Sequence, residues 1–175
     1  MLRLLLLRHA EAAPAAGGGD INRRLTAGGR AAASRIGAYL HKAQLVPELA
    51  LVSPARRTLE TFEELQFGAA CEIPRIVAPS LYNASMGTVF ALLQETPANI
   101  ERLLLIGHNP GLAEAAVLLS REGERAVLAR LRAQFPAPSL AIIDFDAVDW
   151  RQASQDAGRL DIFLTLTSNE LQGGA

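Results

Sequence analysis

Four side chains frame the chemical question. Arg8 and His9 stand together after the apolar run Leu4 to Leu7, Arg57 lies four residues after Ser53, and His108 sits in Gly107-His108-Asn109-Pro110-Gly111. Two guanidiniums and two imidazoles, without a cluster of carboxylates, make a poor divalent metal site but a good oxyanion site. Phosphoryl transfer is the chemistry that fits. A neutral nitrogen of His9 can attack phosphorus in line, giving a phosphohistidine that water later cleaves. Arg8, Arg57 and His108 would spread over the equatorial oxygens, where charge must be held as the group moves.

Each residue alone also has a plainer reading. A histidine after a strand is more often structural than catalytic. His108 could simply cap a helix, and Arg57 could pair on a helix surface with Glu60 or Glu64. What favours chemistry is their common position at the ends of elements that an open α/β sheet brings to one crevice.

The elements follow from periodicity. Continuous apolar runs ending abruptly on polar residues predict strands buried on both faces at Leu4 to Leu7 and Arg102 to Ile106. Leu49 to Val52 reads as a short strand, and Glu72 to Val77 as an edge-like one, demoted by Pro74. Helices are expected over Ala27 to His41, capped by Thr26, and from Ser53-Pro54 to a stop at Gly68, with Ser53 as cap. Further helices are expected over Met86 to Glu95, Leu112 to Leu119 and Glu122 to Gln134. Ser139 to Phe145 and Leu160 to Leu166 read as final strands, forming an antiparallel edge. This alternation predicts one α/β sandwich domain over residues 1–175 with a mainly parallel sheet. The glycine-rich stretch Glu11 to Asp20 is either a flap over the site or an ordinary surface loop.

Composition narrows the function classes. The 175 residues are half hydrophobic with a net charge of −1, which gives no electrostatic case for nucleic acid or an anionic membrane. Lys42 is the sole lysine, so the basic residues are almost all arginine, the group that binds phosphate bidentately. A single cysteine, Cys71, excludes an internal disulfide or a thiolate metal cluster. The leading apolar run is too short to span a bilayer and lacks an export-signal pattern, so a cytoplasmic protein is expected.

Arg8-His9-Ala10-Glu11 after a leading strand resembles the signature of the histidine phosphatase superfamily, the phosphoglycerate-mutase-like fold. Three more segments resemble its small bacterial phosphohistidine phosphatase branch, the SixA type: Asp20-x-x-Arg23-x-Leu25-Thr26-x-x-Gly29, Ser53-Pro54-x-x-Arg57-x-x-x-Thr61, and Gly107-His108-Asn109-Pro110-Gly111. Leu81-Tyr82, Asp144-Phe145-Asp146 and Trp150 extend the likeness. The resemblance implies a three-layer α/β/α sandwich, His9 as the phosphorylated residue, Arg8 and Arg57 as phosphate clamps, and His108 as the second phosphate-binding histidine. It implies no cofactor and no metal requirement. Arg57 holds the motif position, and Arg56, one place off, is expected at the rim or in solvent.

Larger members of that superfamily carry a glutamate after the third strand as proton donor. Here the segment reads Leu81-Tyr82-Asn83-Ala84-Ser85, with no carboxylate. Cleavage of alkyl phosphates needs such an acid, whereas an imidazole with its other nitrogen protonated leaves as a neutral base. The expected substrate is therefore phosphohistidine, carried on a phosphorylated partner protein such as a histidine phosphotransfer domain. The alternatives are a general small-molecule phosphomonoesterase and, behind it, a non-catalytic phosphoprotein-binding module. Asp20, Glu11 and Asn83 are candidates for substrate binding or proton donation. Asp20 has the competing reading of a cap or a partner for Arg23 or Arg24.

Overall fold

A computed structural model describes residues 1–15 and 17–166. In chain order the elements are β1 (Leu2–Arg8), α1 (Ala27–Lys42), β2 (Leu49–Val52), α2 (Arg56–Ala69), β3 (Arg75–Val77), α3 (Met86–Gln94) and β4 (Arg102–Gly107). They continue with α4 (Gly111–Leu119), β5 (Ser120–Gly123), α5 (Arg125–Ala133), β6 (Ser139–Phe145) and β7 (Gly158–Thr165). Single 3₁₀ turns lie at Asp20–Asn22, Pro79–Leu81 and Trp150–Gln152. Among the described residues, no helix is long and apolar enough to cross a membrane.

The strands form one mixed sheet in the order β3-β2-β4-β1-β6-β7-β5. β1, β2, β3 and β4 run parallel, as the alternation of strands and helices predicts. The side chains of β1 explain the layers. Leu2, Leu4 and Leu6 join one buried cluster with Leu112 and Leu119 of α4, Val89 and Leu93 of α3, and Leu128 and Leu131 of α5. Leu5 and Leu7 join the other, with Ile36 and Leu40 of α1 and Phe62 and Leu65 of α2. A strand covered on both faces has no polar side to alternate with, hence its unbroken run of leucines. The result is the expected α/β/α sandwich.

Three expectations about the strands change. β6 and β7 pair antiparallel as expected, but neither is the edge, since β6 also pairs antiparallel with β1 and β7 also pairs with β5. The edge on that side is β5, parallel to β7, its last two residues within the stretch read as the start of a helix. Ser-Arg-Glu-Gly has no strand pattern and becomes one through its pairing with β7 from Gly158 to Leu160, so α5 begins only at Arg125. The third strand keeps only Arg75–Val77 of its expected span.

Helices α1 and α2 meet at two glycines. A Cβ on Gly37 would fall on the backbone oxygen of Leu65, and one on Gly68 on that of Ser34. Gly68 is therefore a contact within α2 rather than its stop, which is Ala70 in the left-handed region at φ 51°. Thr26 caps α1 as expected, its Oγ1 accepting from the Gly29 amide at 2.9 Å. Gly68→Ala should lower unfolding free energy by about 2–3 kcal/mol, because overpacking against a backbone outweighs the roughly 1 kcal/mol gained in helix propensity. A urea midpoint unchanged or raised would contradict this close approach.

Candidate active site

Strand register assembles the site. Arg8 pairs with Gly107 across β1 and β4, and Val52 pairs with Ile106 across β2 and β4. The next residues, His9, Ser53 and His108, consequently leave three adjacent strand ends together. The His9 amide donates to the Gly107 carbonyl at 3.2 Å, and that of Ser53 to Ile106 at 3.0 Å. Helix α2 then returns Arg57 over the same ends. Thr61 fastens this helix to β1: its hydroxyl accepts from the Ala10 amide at 3.0 Å and donates to the Arg57 carbonyl at 2.6 Å.

Arg57 joins the two imidazoles. It is 4% exposed and surface-paired with neither Glu60 nor Glu64. Its Nε donates to His9 Nε2 at 3.1 Å, and Nη2 lies 3.2 Å from His108 Nδ1. Glu60 turns elsewhere, buried beneath Arg24, Arg30 and Arg56 and accepting from the Leu25 amide at 2.9 Å. Burial opposes its ionisation, but the Leu25 amide and the Arg56, Arg24 and Arg30 guanidiniums hold its carboxyl down at about 2. Arg56 is thus a half-exposed strut, consistent with its expected place outside the crevice.

Hydrogen bonding fixes both ring tautomers. His9 is 9% exposed, and its Nδ1 faces the Ala10 carbonyl at 2.8 Å, which can only accept. The proton is therefore on Nδ1, leaving the Nε2 lone pair toward Arg57. His108, 5% exposed, accepts from Arg57 at Nδ1 and so carries its proton on Nε2, 2.7 Å from Ser53 Oγ. Burial, against the Ala10 bond and with the Arg57, Arg8 and Arg23 charges, lowers His9 to about 4. Burial, then the Arg57 and His9 charges, lowers His108 to about 3. Both rings are neutral at neutral pH, their centroids 5.2 Å apart.

Arg8 approaches from the other side. Its Nη1 donates to the Phe135 carbonyl at 2.7 Å, a carbonyl that also accepts from the Asn109 side-chain Nδ2 at 2.9 Å. Its buried Nε has no hydrogen-bond partner among the described residues. Burial lowers its pKa, and its charge reaches both rings. A buried guanidinium donor left open beside two neutral imidazoles is a place for an anion.

Of the three accessory candidates, the structure brings in Asp20 alone. Its Oδ2 accepts from Arg57 Nη2 and from the Tyr82 hydroxyl, both at 2.9 Å, and its main-chain oxygen accepts from Arg57 Nη1 at 2.7 Å. Partial burial pushes the carboxyl up, but the bonds from Tyr82, Arg23 and Arg57 bring it to about 2, so it is an ionised acceptor at neutral pH. The Glu11 carboxylate instead accepts from the Thr26 hydroxyl at 2.8 Å, beside the start of α1. Asn83 is exposed in a turn at φ 51°, and no described hydrogen bond joins it to the two histidines or Arg57.

Two residues belong here that spacing left outside. Ser53 was expected to cap α2, yet the helix starts at Arg56 with Ala55 before it, and the serine hydroxyl is spent on His108. Tyr82 holds Asp20 and sets its ring edge-on to His108, centroids 5.6 Å apart. Only the quoted segments containing them pointed this way.

Comparison with known proteins agrees with this geometry. Residues 4–135 match the model of the histidine phosphatase superfamily (branch 1). The structure of a presumed phosphohistidine phosphatase SixA from Agrobacterium tumefaciens is 30% identical, with TM-score 0.76 over 94% of this chain and 98% of that one. A presumed SixA from Nakamurella multipartitia is 23% identical at TM-score 0.82, covering 94% and 95% of the two chains, and supports the fold. An uncharacterized Mycobacterium tuberculosis protein, Rv1276c, is 29% identical over 78% of this chain and 85% of its own length. With its Arg-His strand end, its arginine-linked histidines and this matched sequence, the chain belongs to the histidine phosphatase superfamily, in its SixA-type branch.

Proposed function

We propose that this chain removes phosphate through a covalent intermediate on His9, and that its substrate is phosphohistidine carried on another protein, such as a histidine phosphotransfer domain. The observation that carries the reading is the His9 ring: buried, neutral, with its proton held on Nδ1 and its Nε2 lone pair turned to the guanidinium of Arg57. The incoming phosphoryl group takes over the Arg57 donor now spent on Nε2, freeing the lone pair to attack phosphorus. Arg57 and Arg8, the latter with its open Nε, hold the equatorial oxygens. Bound dianion favours a proton on His108 Nδ1, which then donates to the same group while Ser53 keeps Nε2. Water cleaves the phosphohistidine on His9, and its ring leaves as neutral imidazole because Nδ1 is already protonated.

The leaving side supports nitrogen over oxygen. Asp20, ionised, has no proton to give, and the turn after β3 offers no carboxylate. Positive charge comes from two arginines, and among the described residues no group of three or more histidine, cysteine or acidic side chains converges as a metal site. We therefore take the reaction as metal-independent, with residues 1–175 acting as one domain in the cytoplasm. A SixA structure in complex with tungstate, 24% identical with TM-score 0.74 over 94% of this chain and 97% of that one, shares the fold. A second reading, a small-molecule phosphomonoesterase, is favoured by the Tyr82 hydroxyl, which could protonate a leaving oxygen.

The two are separated by kcat/KM on a protein phosphorylated at histidine against p-nitrophenyl phosphate. A preference of about tenfold or more for the phosphoramidate is expected. A comparable preference for the ester would overturn the substrate while leaving the covalent step intact.

A further inference from the structure

The crevice has a floor and a mouth. His9, Arg57 and His108 are buried at the floor, whereas the Asp20 side chain is 48% exposed at the mouth, steadied by Tyr82. A phosphoryl group on the floor, attacked by His9, must direct its leaving group outward, toward Asp20. Arg57 spans the same distance with one guanidinium: Nε faces His9, Nη2 lies between His108 and the Asp20 carboxylate, and Nη1 faces the Asp20 main chain.

We propose, on the basis of the phosphohistidine reading above, that Asp20 selects N–P over O–P substrates by holding the proton on the far nitrogen of the leaving imidazole. His9 Nε2 supplies the electron pair of the new N–P bond. The pair of the old N–P bond returns to the substrate ring nitrogen. Because the other ring nitrogen keeps its hydrogen, donated to the Asp20 carboxylate, the ring departs as neutral imidazole and no proton need be supplied to the scissile atom. Stripped of that hydrogen, the same ring would have to leave as imidazolide, a far poorer leaving group.

The site already uses this device on its own side. The Ala10 carbonyl holds the Nδ1 proton of His9, which makes His9 a good leaving group in the hydrolysis half of the cycle. Asp20 is the counterpart for the substrate, with a charge in place of a carbonyl dipole. Its carboxylate has lone pairs to spare: among the described residues, Oδ2 accepts from Arg57 and Tyr82, and Oδ1 from Arg23 alone at 3.2 Å. The titratable and charged groups facing it are Arg23 on its own segment, Arg57 on α2, Tyr82 in the turn after β3, and His108 after β4. Held ionised by these neighbours, Asp20 cannot act as an acid but can pair with a cationic phosphoimidazole.

The test compares the unaltered chain, Asp20→Asn and Asp20→Glu on two probes. One is a polypeptide phosphorylated on histidine with phosphoramidate. The other is p-nitrophenyl phosphate, whose leaving group has no ring nitrogen. An asparagine oxygen still accepts from Arg57 and Tyr82, so the loop keeps its anchor. For Asp20→Asn, kcat on the phosphohistidine probe at pH 8 should fall about tenfold or more, and its alkaline limb should move down by about one pH unit. Ester turnover should fall by a clearly smaller factor, so that the phosphohistidine-to-ester ratio of kcat drops about fivefold or more, and Asp20→Glu should restore most of that ratio. Equal losses on both probes, or an unmoved alkaline limb, would overturn the role given to Asp20. If the unaltered chain cleaves the ester but not the phosphohistidine probe, the substrate reading itself falls, and this inference with it.

Discussion

His9→Ala is expected to lower turnover of any substrate by about four orders of magnitude or more, and to abolish acid-labile phosphate trapped on the protein. The loss is this large because no other described group can stand in. His108, 5.2 Å away centre to centre, has its Nε2 proton on Ser53 and its Nδ1 lone pair on Arg57. The state of the His9 ring can be checked directly. A ring lowered to about 4 is neutral above that pH and loses its lone pair to a proton as pH falls through about 4. Ring ¹⁵N shifts should therefore titrate well below the ordinary 6.5 and report the Nδ1–H tautomer at neutral pH. Titration near 6.5, or an Nε2–H tautomer, would contradict the nucleophile assigned here, as would phosphate label persisting in the alanine variant.

Arg57→Lys should cost about 10³-fold in kcat/KM although charge is conserved. The guanidinium serves His9, His108 and both the side chain and main chain of Asp20 from three nitrogens fixed in one plane. An ammonium is a single point with three rotatable donors and cannot span these partners. Arg56→Ala supplies the contrast. That guanidinium pairs with Glu60 at 2.9 Å while Arg24 and Arg30 also hold the carboxylate, so its loss should change kcat/KM less than about threefold. Similar losses in the two variants would mean that Arg57 acts only as general positive charge.

Much of this arrangement was legible in the residues, and what was hidden has identifiable causes. β1 and β4 could be read because leucines buried on both faces leave an unbroken apolar run, and their abrupt ends marked Arg8, His9 and His108. β5 could not, since Ser120 to Gly123 owes its conformation to pairing with β7, made 35 or more positions along the chain. Sequence spacing also left Arg57 between a phosphate clamp and a partner of Glu60. Arg24 and Arg30 come from outside α2 to occupy that carboxylate, and Arg57 turns to the two imidazoles instead. Ser53 looked like a helix cap because a serine before proline usually is one. Its hydroxyl instead answers to a histidine on the neighbouring strand end, and Tyr82 gains meaning only once Asp20 lies across from it.

β1 is the fourth of seven strands, bonded along both edges and sandwiched between helices. Its end therefore anchors His9, the nucleophile proposed above, to the part of the molecule that opens last, while Asp20 and Tyr82 ride on turns that carry none of the sheet. On the roles proposed above, bond making and choice of cargo are mechanically separate. Rebuilding the two mouth segments can redirect the enzyme toward new leaving groups without loosening the foundation on which transfer depends.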